Sequence, residues 1–528
     1  VESQSNTSSA IKSAKAFRLT PRRLGLALLA PLLVGTVSLG VLQARSGNTS
    51  SGASDARSPQ TAALRGAAPP AALNATKASP DLPAPPPAQW TRNPGSAVGF
   101  AATLDRGAVA RGSDGLVRVE LVMKADQVAE RARVASDFVV VLDRSGSMAG
   151  ERIAQARAAI TTLLGQLSER DRFALVTYDD SPQVAIPLSL ATPGSKREWR
   201  SVVSGIETGD STNMSGGLDE GLALMQAGRQ AGRAGRVILL SDGHANAGDT
   251  SPEGLRERGK RASQHELVLS TVGIGSGFNE FLMSQVADAG TGNFHYLADN
   301  SSLASIFERE LSSTRATVAS ALRVDIAPGS GVAVVDAAGY PLETGDAGTS
   351  FQVGSLYSGQ ERRVWLTLRV PVEREAELQL GKLQLSYVEA GASKHIELGH
   401  GLALKCVSDE ATALASIDKS AWERSVAQEE WGRVQQEVAR AVHEGQREQA
   451  IWALQSYRAK QAAVNSTVGS VAVSSTLAET EAVERQVVDA FAGENQAWKQ
   501  NAFSKQNLAE GRGKRRVGSV RGIGSLSY

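Results

Sequence analysis

The chain of 528 residues contains a single cysteine, Cys406, and only six histidines. One cysteine cannot form an internal disulfide, so no disulfide framework supports this fold, and cysteine usage does not indicate a cellular compartment. The histidines are scattered, with His395 and His400 the closest pair in the sequence, which argues against a zinc site. The G-x-S-x-G motif of many serine hydrolases is also absent. These absences exclude a disulfide-rich scaffold and give no support to two common kinds of enzyme site.

The chain also lacks a strong excess of either charge, since 56 Lys and Arg residues oppose 55 Asp and Glu residues. The charge is unevenly distributed, because residues 1–23 carry +4 and residues 511–528 carry +5, which leaves −8 on the 487 residues between them. A nucleic-acid-binding domain usually carries a basic patch on its folded surface. A mildly acidic body with two basic ends is not typical of such a protein, and we expect no nucleic-acid partner.

One long hydrophobic run is present, Leu24–Ala44, with 21 residues and no charge. A helix rises about 1.5 Å per residue, so this run is long enough to cross a hydrocarbon core of roughly 30 Å. The basic residues 1–23 predict a cytoplasmic N-terminus and export of the rest of the chain. We expect a single-pass anchor in the cytoplasmic (inner) membrane, with the main body in the periplasm or on the cell surface. Cleavage of the same segment as a signal peptide is the alternative, and it would make the body a secreted protein.

Composition separates a linker from the folded part of the chain. Residues 45–98 are rich in Ser, Gly, Ala and Pro, and they predict a disordered linker because they offer too little apolar surface to offset the entropy of ordering. Residues 99–133 and 316–409 contain short alternating runs such as "LVRVELVMKA" and "RRVWLTLRVP". Such runs predict a β-rich domain on both sides of a central segment.

The C-terminal part of the chain changes to helix-forming composition. Residues 410–510 are rich in strong helix formers, and Gly445 is expected to divide them into a helical hairpin, because a glycine inside a helix costs about 1 kcal/mol. Residues 511–528 contain basic residues and glycines but no acidic residue. We expect them to form a flexible basic tail.

The central segment, residues 134–315, has a different pattern. Unbroken apolar runs such as "DFVVVLD", "RFALVTY", "RVILLS" and "LVLSTVGIG" alternate with amphipathic helical stretches. Strands that are apolar on both faces belong to parallel sheets that helices cover on both sides. We therefore predict an α/β domain with a doubly wound, mostly parallel sheet of the Rossmann-like type, flanked by the β-rich domain and followed by the helical segment.

Three segments place oxygen-bearing side chains where ligand sites of such sheets lie, beyond the carboxyl ends of the strands. Asp143, Ser145 and Ser147 alternate directly after the first strand, in "DFVVVLDRSGSM". Thr212 lies in the loop "GDSTNMSGG" that opens a helix, and Asp242 directly follows the strand "RVILLS". Taken singly, these residues also suit turns or helix N-caps. Their common position at one sheet edge indicates a joint site.

These five residues resemble the metal-ion-dependent adhesion site (MIDAS) of von Willebrand factor type A (VWA) domains. The resemblance covers about residues 134–315, and all five ligand positions are present. It implies that Ser145, Ser147 and Thr212 coordinate a cation directly, while the two aspartates act mainly through water molecules. Hydroxyl and water oxygens suit Mg²⁺, with Mn²⁺ and Ca²⁺ as other candidates. The resemblance further implies a protein partner that supplies an Asp or Glu carboxylate to an open coordination position.

A wider resemblance covers about residues 110–510, partly through "TVGIGSGFNEFLMSQVADAGTGNFHYLAD" at Thr271–Asp299. This part is similar to bacterial VWA proteins of the calcium-activated chloride-channel-like and inter-α-trypsin inhibitor heavy-chain-like group. The H-E-x-x-H motif of some chloride-channel regulators is absent, so we do not expect self-processing or channel activity. We expect a cation-dependent adhesion or scaffold protein of the membrane, with no catalytic residues and no enzyme activity. The alternatives are a metal-dependent hydrolase that uses the same ion and an accessory subunit of a chelatase or AAA ATPase complex.

Overall fold

The computed structural model describes residues 90–128, 135–230, 232–275, 277–297, 303–398, 402–516, 518–520 and 523–526. The predicted cytoplasmic end (1–23), the predicted membrane segment (24–44) and most of the predicted linker (45–98) lie outside these residues. Within the residues that the structure describes, no helix is both long and apolar enough to cross a membrane. The last residues of the expected linker do have regular structure, since Thr91–Arg92 form a strand that pairs with its neighbour in the sequence.

Strands and helices are numbered in chain order. In the described part of the chain the strands are β1 (Thr91–Arg92), β2 (Val98–Leu104), β3 (Ala108–Ala110), β4 (Leu116–Ala125), β5 (Ala135–Asp143), β6 (Arg172–Tyr178), β7 (Pro182–Leu190), β8 (Arg233–Ser241), β9 (Leu267–Ile274), β10 (Thr291–Leu297), β11 (Thr317–Pro328), β12 (Ala333–Ala337), β13 (Glu343–Gly345), β14 (Gly348–Tyr357), β15 (Gln360–Arg369), β16 (Ala376–Glu389), β17 (Ala392–Glu397), β18 (Leu402–Val407), β19 (Gly518–Val520) and β20 (Ile523–Leu526). The helices are α1 (Glu151–Gln166), α2 (Pro193–Ser204), α3 (Met214–Ala227), α4 (Pro252–Gln264), α5 (Glu280–Ala289), α6 (Leu303–Arg315), α7 (Glu410–Ala415), α8 (Lys419–Arg424), α9 (Trp431–His443), α10 (Arg447–Val468), α11 (Val471–Ala490) and α12 (Gln496–Arg515).

The central segment folds around a six-stranded sheet with the order β10-β9-β8-β5-β6-β7. Neighbouring strands are parallel throughout, except that β7 runs antiparallel to β6 at the edge. The apolar pattern does not predict β7, because most of its side chains are partly or fully exposed and it contains Pro182 and Pro187. An exposed edge strand needs no continuous apolar run, and proline is tolerated there.

Alternate residues of β5 face opposite sides of this sheet, and helices cover both sides. Phe138, Val140 and Leu142 belong to a core that includes residues of α1, α2 and α6. Val139 and Val141 belong to a second core that includes residues of α3, α4 and α5. A strand that is buried on both faces must be apolar at successive positions, which is why its sequence is an unbroken apolar run. The predicted doubly wound α/β fold is confirmed.

The strands on either side of this α/β domain fold together into two further sheets. One sheet has the order β1-β2-β4-β15-β19-β20, with β12 also paired to β15. The other has the order β13-β14-β11-β16-β18-β3, with β17 also paired to β16. Apolar residues of β2 and β4 share one core with residues of β11, β14, β15, β16 and β18. The α/β domain is therefore inserted between β4 and β11 of a two-sheet β domain.

The helices α7 to α12 follow the β domain and have a core of their own. Trp422, Trp431 and Tyr457 are buried in this core, and the rings of Trp431 and Tyr457 stack. Gly445 separates α9 from α10 and has a φ of +74°, a backbone conformation that glycine adopts without strain. The chain thus breaks at Gly445 as predicted, but the described part of this segment forms the six helices α7 to α12 and not a single helical hairpin.

The C-terminal end differs from the flexible tail predicted for residues 511–528. Helix α12 continues to Arg515, and β19 and β20 extend the first β sheet through pairing with β15. Arg512 and Arg515 are buried because they form ion pairs with Asp288 and Glu429. These acidic partners are distant in the sequence. The C-terminal residues themselves contain only basic charges, and this local pattern is typical of a solvated basic tail.

Candidate functional site

Three loops meet at the carboxyl edge of the central sheet. Strand β5 ends at Asp143, and the neighbouring parallel strand β8 ends at Ser241, one residue before Asp242. Thr212 lies in the loop that precedes α3. Met148 anchors the first loop, since its side chain is fully buried in the core on one face of the sheet. The sheet topology therefore brings the three predicted segments to one place.

Hydrogen bonds link four of the five predicted residues. The Asp143 carboxylate accepts hydrogen bonds from the Ser145 backbone N–H (2.9 Å) and from the Ser241 hydroxyl (2.6 Å). The Ser145 and Ser147 hydroxyl oxygens are 3.1 Å apart, and the Ser147 hydroxyl donates to the Asp242 carboxylate at 2.7 Å. The loops after β5 and β8 are thus joined by a hydrogen-bonded row of oxygen-bearing residues that runs from Asp143 to Asp242.

The Thr212 loop joins the other two loops through its backbone. The Thr212 N–H donates to the side-chain oxygen of Asn246 (2.7 Å), and the Thr212 carbonyl accepts from the Asn246 N–H (3.1 Å). The Gly146 N–H donates to the Asp210 carbonyl at 3.3 Å. Asn246 was not predicted as part of the site, although it lies only four positions after Asp242 in the same loop. Its hydrogen bonds tie Thr212 to the loop that carries Asp242.

The candidate site concentrates negative charge away from water. Asp143, Ser145, Thr212 and Asp242 are buried, whereas Ser147 is exposed. Burial raises the pKa of the Asp143 carboxyl, and the nearby charge of Asp242 acts in the same direction, although hydrogen bonds from neighbouring serines oppose both effects. A positive charge near these carboxylates would stabilise their ionised forms. The arrangement therefore suits a cation.

One cationic side chain already reaches this site. Arg152, in the first turn of α1, donates from Nη1 to the backbone oxygen of Ser147 at 2.9 Å and pairs with the Asp242 carboxylate. The motif-based prediction missed Arg152. A signal was present in the sequence, because a cation in the first turn of a helix opposes the helix dipole and gains from a nearby anion.

The donor set fits a hard divalent cation. Three of the five side chains bear hydroxyl groups and two bear carboxylates, and such oxygens are ligands that Mg²⁺ prefers. In the part of the chain that the structure describes, no three His, Cys, Asp or Glu side chains form a cluster suited to a metal ion. The candidate site is of another kind, since it combines hydroxyl groups with only two carboxylates. Its chemistry agrees with the resemblance inferred from the sequence.

The comparison with known proteins bears on the same residues. Residues 137–309 match the family model of the von Willebrand factor type A domain. These residues form a VWA domain. The match begins in β5 and ends in α6, and all five candidate residues lie within it.

Two relatives illustrate how far the similarity extends along the sequence. The Escherichia coli K12 protein YfbK is 32% identical over 216 residues, which are 40% of this chain and 36% of YfbK. Human inter-alpha-trypsin inhibitor heavy chain H3 is 29% identical over 160 residues, which are 29% of this chain and 18% of that protein. The chain therefore matches well under half the length of each of these two relatives.

A solved structure shares more of the chain. The structure described as von Willebrand factor type A from Catenulispora acidiphila matches with a TM-score of 0.60 at 17% identity, covering 79% of this chain and 97% of that one. Because this coverage is far larger than residues 137–309, the shared fold extends beyond the VWA domain. VWA domains commonly mediate protein–protein interactions, and many bind a divalent metal at a MIDAS.

Proposed function

We propose that the chain binds a protein partner through a divalent cation held at the carboxyl edge of the VWA sheet. In this proposal it is an adhesion or scaffold protein and not an enzyme, and its ion is Mg²⁺, with Mn²⁺ or Ca²⁺ as substitutes. The observation that carries the proposal is the hydrogen-bonded row from Asp143 through Ser145 and Ser147 to Asp242, which joins two loops of the site. A row of hard oxygen atoms with two buried carboxylates is suited to binding a small, doubly charged cation.

The five residues would contribute to cation binding in two ways. Ser145, Ser147 and Thr212 would supply hydroxyl oxygens, and Asp143 and Asp242 would supply the negative charge that attracts the ion. When bound, the ion supplies an electrophilic centre to which a carboxylate can coordinate. Ser147 is the exposed member of the five, so a partner would approach from its side. An Asp or Glu side chain of the partner would then complete the site.

We also propose that the body works outside the cytoplasm and is attached to the membrane by residues 24–44. The support is the uncharged run of 21 residues that follows a basic segment. Alkaline phosphatase fused after residue 528 should be active in bacterial cells, because this enzyme requires an oxidising, extracytoplasmic environment to form its disulfides. Activity of a cytoplasmic reporter at the same position, with no phosphatase activity, would contradict this location.

Titration of the purified full-length chain with Mn²⁺ by isothermal titration calorimetry tests the cation site. We expect one site in the wild type and its loss in Asp143→Ala and Ser147→Ala, because each substitution removes an oxygen of the row. Asp346→Ala is the matched control, since Asp346 lies in an exposed turn between β13 and β14, outside the VWA domain. Equal Mn²⁺ binding by the wild type and both site variants would contradict the proposal.

Selection from a random peptide library on the immobilised chain tests the role of the carboxylate. In Mg²⁺ we expect the enriched peptides to contain Asp or Glu, and we expect their binding to be lost in EDTA and in Ser147→Ala. Peptides that bind equally well in EDTA, or that contain no acidic residue, would show that recognition occurs on another surface.

A further inference from the structure

We infer that Arg152 makes the candidate site selective for anionic groups, because it holds Asp242 and adds a positive charge at the rim of the site. The inference rests on the proposed function, since it concerns the same cation site. It starts from a residue outside the five-residue motif that contacts two of its members. The Arg152 guanidinium pairs with the Asp242 carboxylate and donates to the Ser147 backbone oxygen.

The fold positions Arg152 from two sides. Arg152 is the second residue of α1, which begins at Glu151 directly after the loop that carries Ser147. On the other side lies Gly275, whose φ of +71° and missing side chain let the backbone approach the guanidinium. A Cβ atom at position 275 would lie only 3.2 Å from the Arg152 Nη2. Arg152 is therefore held between the Asp242 loop and Gly275, while part of its side chain remains exposed to solvent.

The positive charge of Arg152 changes the net charge of the hydrogen-bonded group at the candidate site. The group contains two carboxylates, Asp143 and Asp242, and one guanidinium, so its net charge is negative by one. Arg144, the next cation along the loop, is paired with Asp179 and contributes no net charge. A bound divalent cation would bring the group to a net positive charge, which one partner carboxylate would neutralise. Without Arg152 the loaded group would be neutral, and its attraction for an anion would be weaker.

Arg152 is also the accessible member of this charge set. Its side chain is 37% exposed, whereas the Asp242 side chain is completely buried. Ser147 is exposed in the same loop, so a group that approaches the site meets the guanidinium together with this hydroxyl. A guanidinium has five N–H donors in a planar fork, and this geometry matches a carboxylate.

Two effects of opposite sign follow. The guanidinium competes with a divalent cation for the Asp242 carboxylate, so loss of its charge should tighten cation binding. Loss of the same charge should weaken the binding of an anion to the loaded site. A residue with a merely structural role would weaken both, because the loops would lose their arrangement.

Mn²⁺ binding to the full-length chain, with acetate as the carboxylate probe, separates these effects. For Arg152→Gln without acetate we expect the Mn²⁺ affinity to rise about tenfold, since a competing charge in direct contact with a ligand is removed. Acetate should increase the Mn²⁺ affinity of the wild type, and by reciprocal linkage this increase measures acetate binding to the loaded site. The acetate effect should be at least about threefold smaller in Arg152→Gln.

Two control variants complete the experiment, with calorimetry and thermal unfolding as readouts. Arg152→Lys keeps the charge and should retain most of the acetate effect, and Arg157→Gln, on the same helix, should match the wild type. If the wild type binds Mn²⁺ and Arg152→Gln changes neither quantity, the inference alone is overturned. Weaker Mn²⁺ binding together with a lowered unfolding temperature in Arg152→Gln would show a structural role and would also overturn it. No Mn²⁺ binding by any of the four proteins would overturn the proposed function and this inference with it.

Discussion

Buried carboxylates at the two ends of strand β5, on opposite edges of the VWA sheet, have different kinds of partners, charged at one end and neutral at the other. At the amino end of β5, Asp137 forms ion pairs with Arg172 at 2.6 Å and with Arg233 at 2.7 Å. At the carboxyl end of the same strand, Asp143 accepts hydrogen bonds from a backbone N–H and a serine hydroxyl, which are neutral donors. The same residue type on one strand therefore has a compensated charge at one end and an uncompensated charge at the other.

The pKa values of two buried aspartates show the consequence. Burial by itself raises the pKa of the Asp171 carboxyl, but hydrogen bonds from Arg315 and Ser168 outweigh it, and the pKa is lowered. Burial raises the pKa of Asp143, and neutral donors do not offset this effect. At the amino edge, arginine side chains therefore compensate the charges of the buried carboxylates, and these ion pairs support the fold. The carboxyl edge retains negative charge that a cation can balance.

The largest expected effect lies at the amino edge. Asp137→Ala would leave the largely buried guanidinium groups of Arg172 and Arg233 without their shared carboxylate. We expect the free energy of unfolding of the VWA domain to fall by about 3–5 kcal/mol, as is usual when one partner of a buried ion pair is removed. Urea denaturation followed by circular dichroism measures this loss.

Asp143→Asn is the matched change at the carboxyl edge, measured in EDTA by the same method. We expect the free energy of unfolding to change by less than about 1 kcal/mol, because asparagine keeps an acceptor for the Ser145 N–H and removes a charge near Asp242. If Asp143→Asn destabilised the chain as much as Asp137→Ala does, the two edges would not differ in their charge compensation.

An effect that depends on pH, and that lies between those of Asp137→Ala and Asp143→Asn, is expected for Asp171→Asn. At neutral pH the free energy of unfolding should fall by about 1.5–3 kcal/mol, the usual contribution of a hydrogen bond to a charged group. A carboxylate whose pKa is lowered in the folded state stabilises the fold above the ordinary Asp pKa of about 3.9, and this stabilisation is lost as the pH falls through the lowered value. Wild-type and variant stabilities, measured by urea denaturation at decreasing pH, should therefore converge below about pH 4. A constant difference over this range would contradict the assignment.

The α/β fold could be predicted because a strand that is buried on both faces has an unbroken apolar sequence. The run Phe138–Leu142 is apolar at every position, and only a central strand between two helix layers requires this. Asp143 and Asp242 could be located for a related reason, since each lies where such a run ends. In the edge strand β7 most side chains are partly or fully exposed and two residues are prolines, so its sequence contains no continuous apolar run.

The residues that were missed or misjudged depend on contacts between distant segments. Arg152 joins the candidate site only because β5 and β8 are neighbours, which brings Asp242 to the first turn of α1. Asn246 becomes part of the site only through its hydrogen bonds to Thr212. Neither contact follows from the spacing of residues along the chain.

From the sequence alone, the order of the buried central strands and their helices, the type of sheet and the loops that meet at one edge could be predicted. These features follow from local periodicity and from the apolar character of buried strands. Only the tertiary structure decided which charges are compensated, as in the pairing of Arg512 with Asp288 and the absence of such a pair around the Asp143 carboxylate among the described residues. The physical reason is that the interaction of two charges depends on their separation in space, and packing sets that separation for residues far apart in the chain.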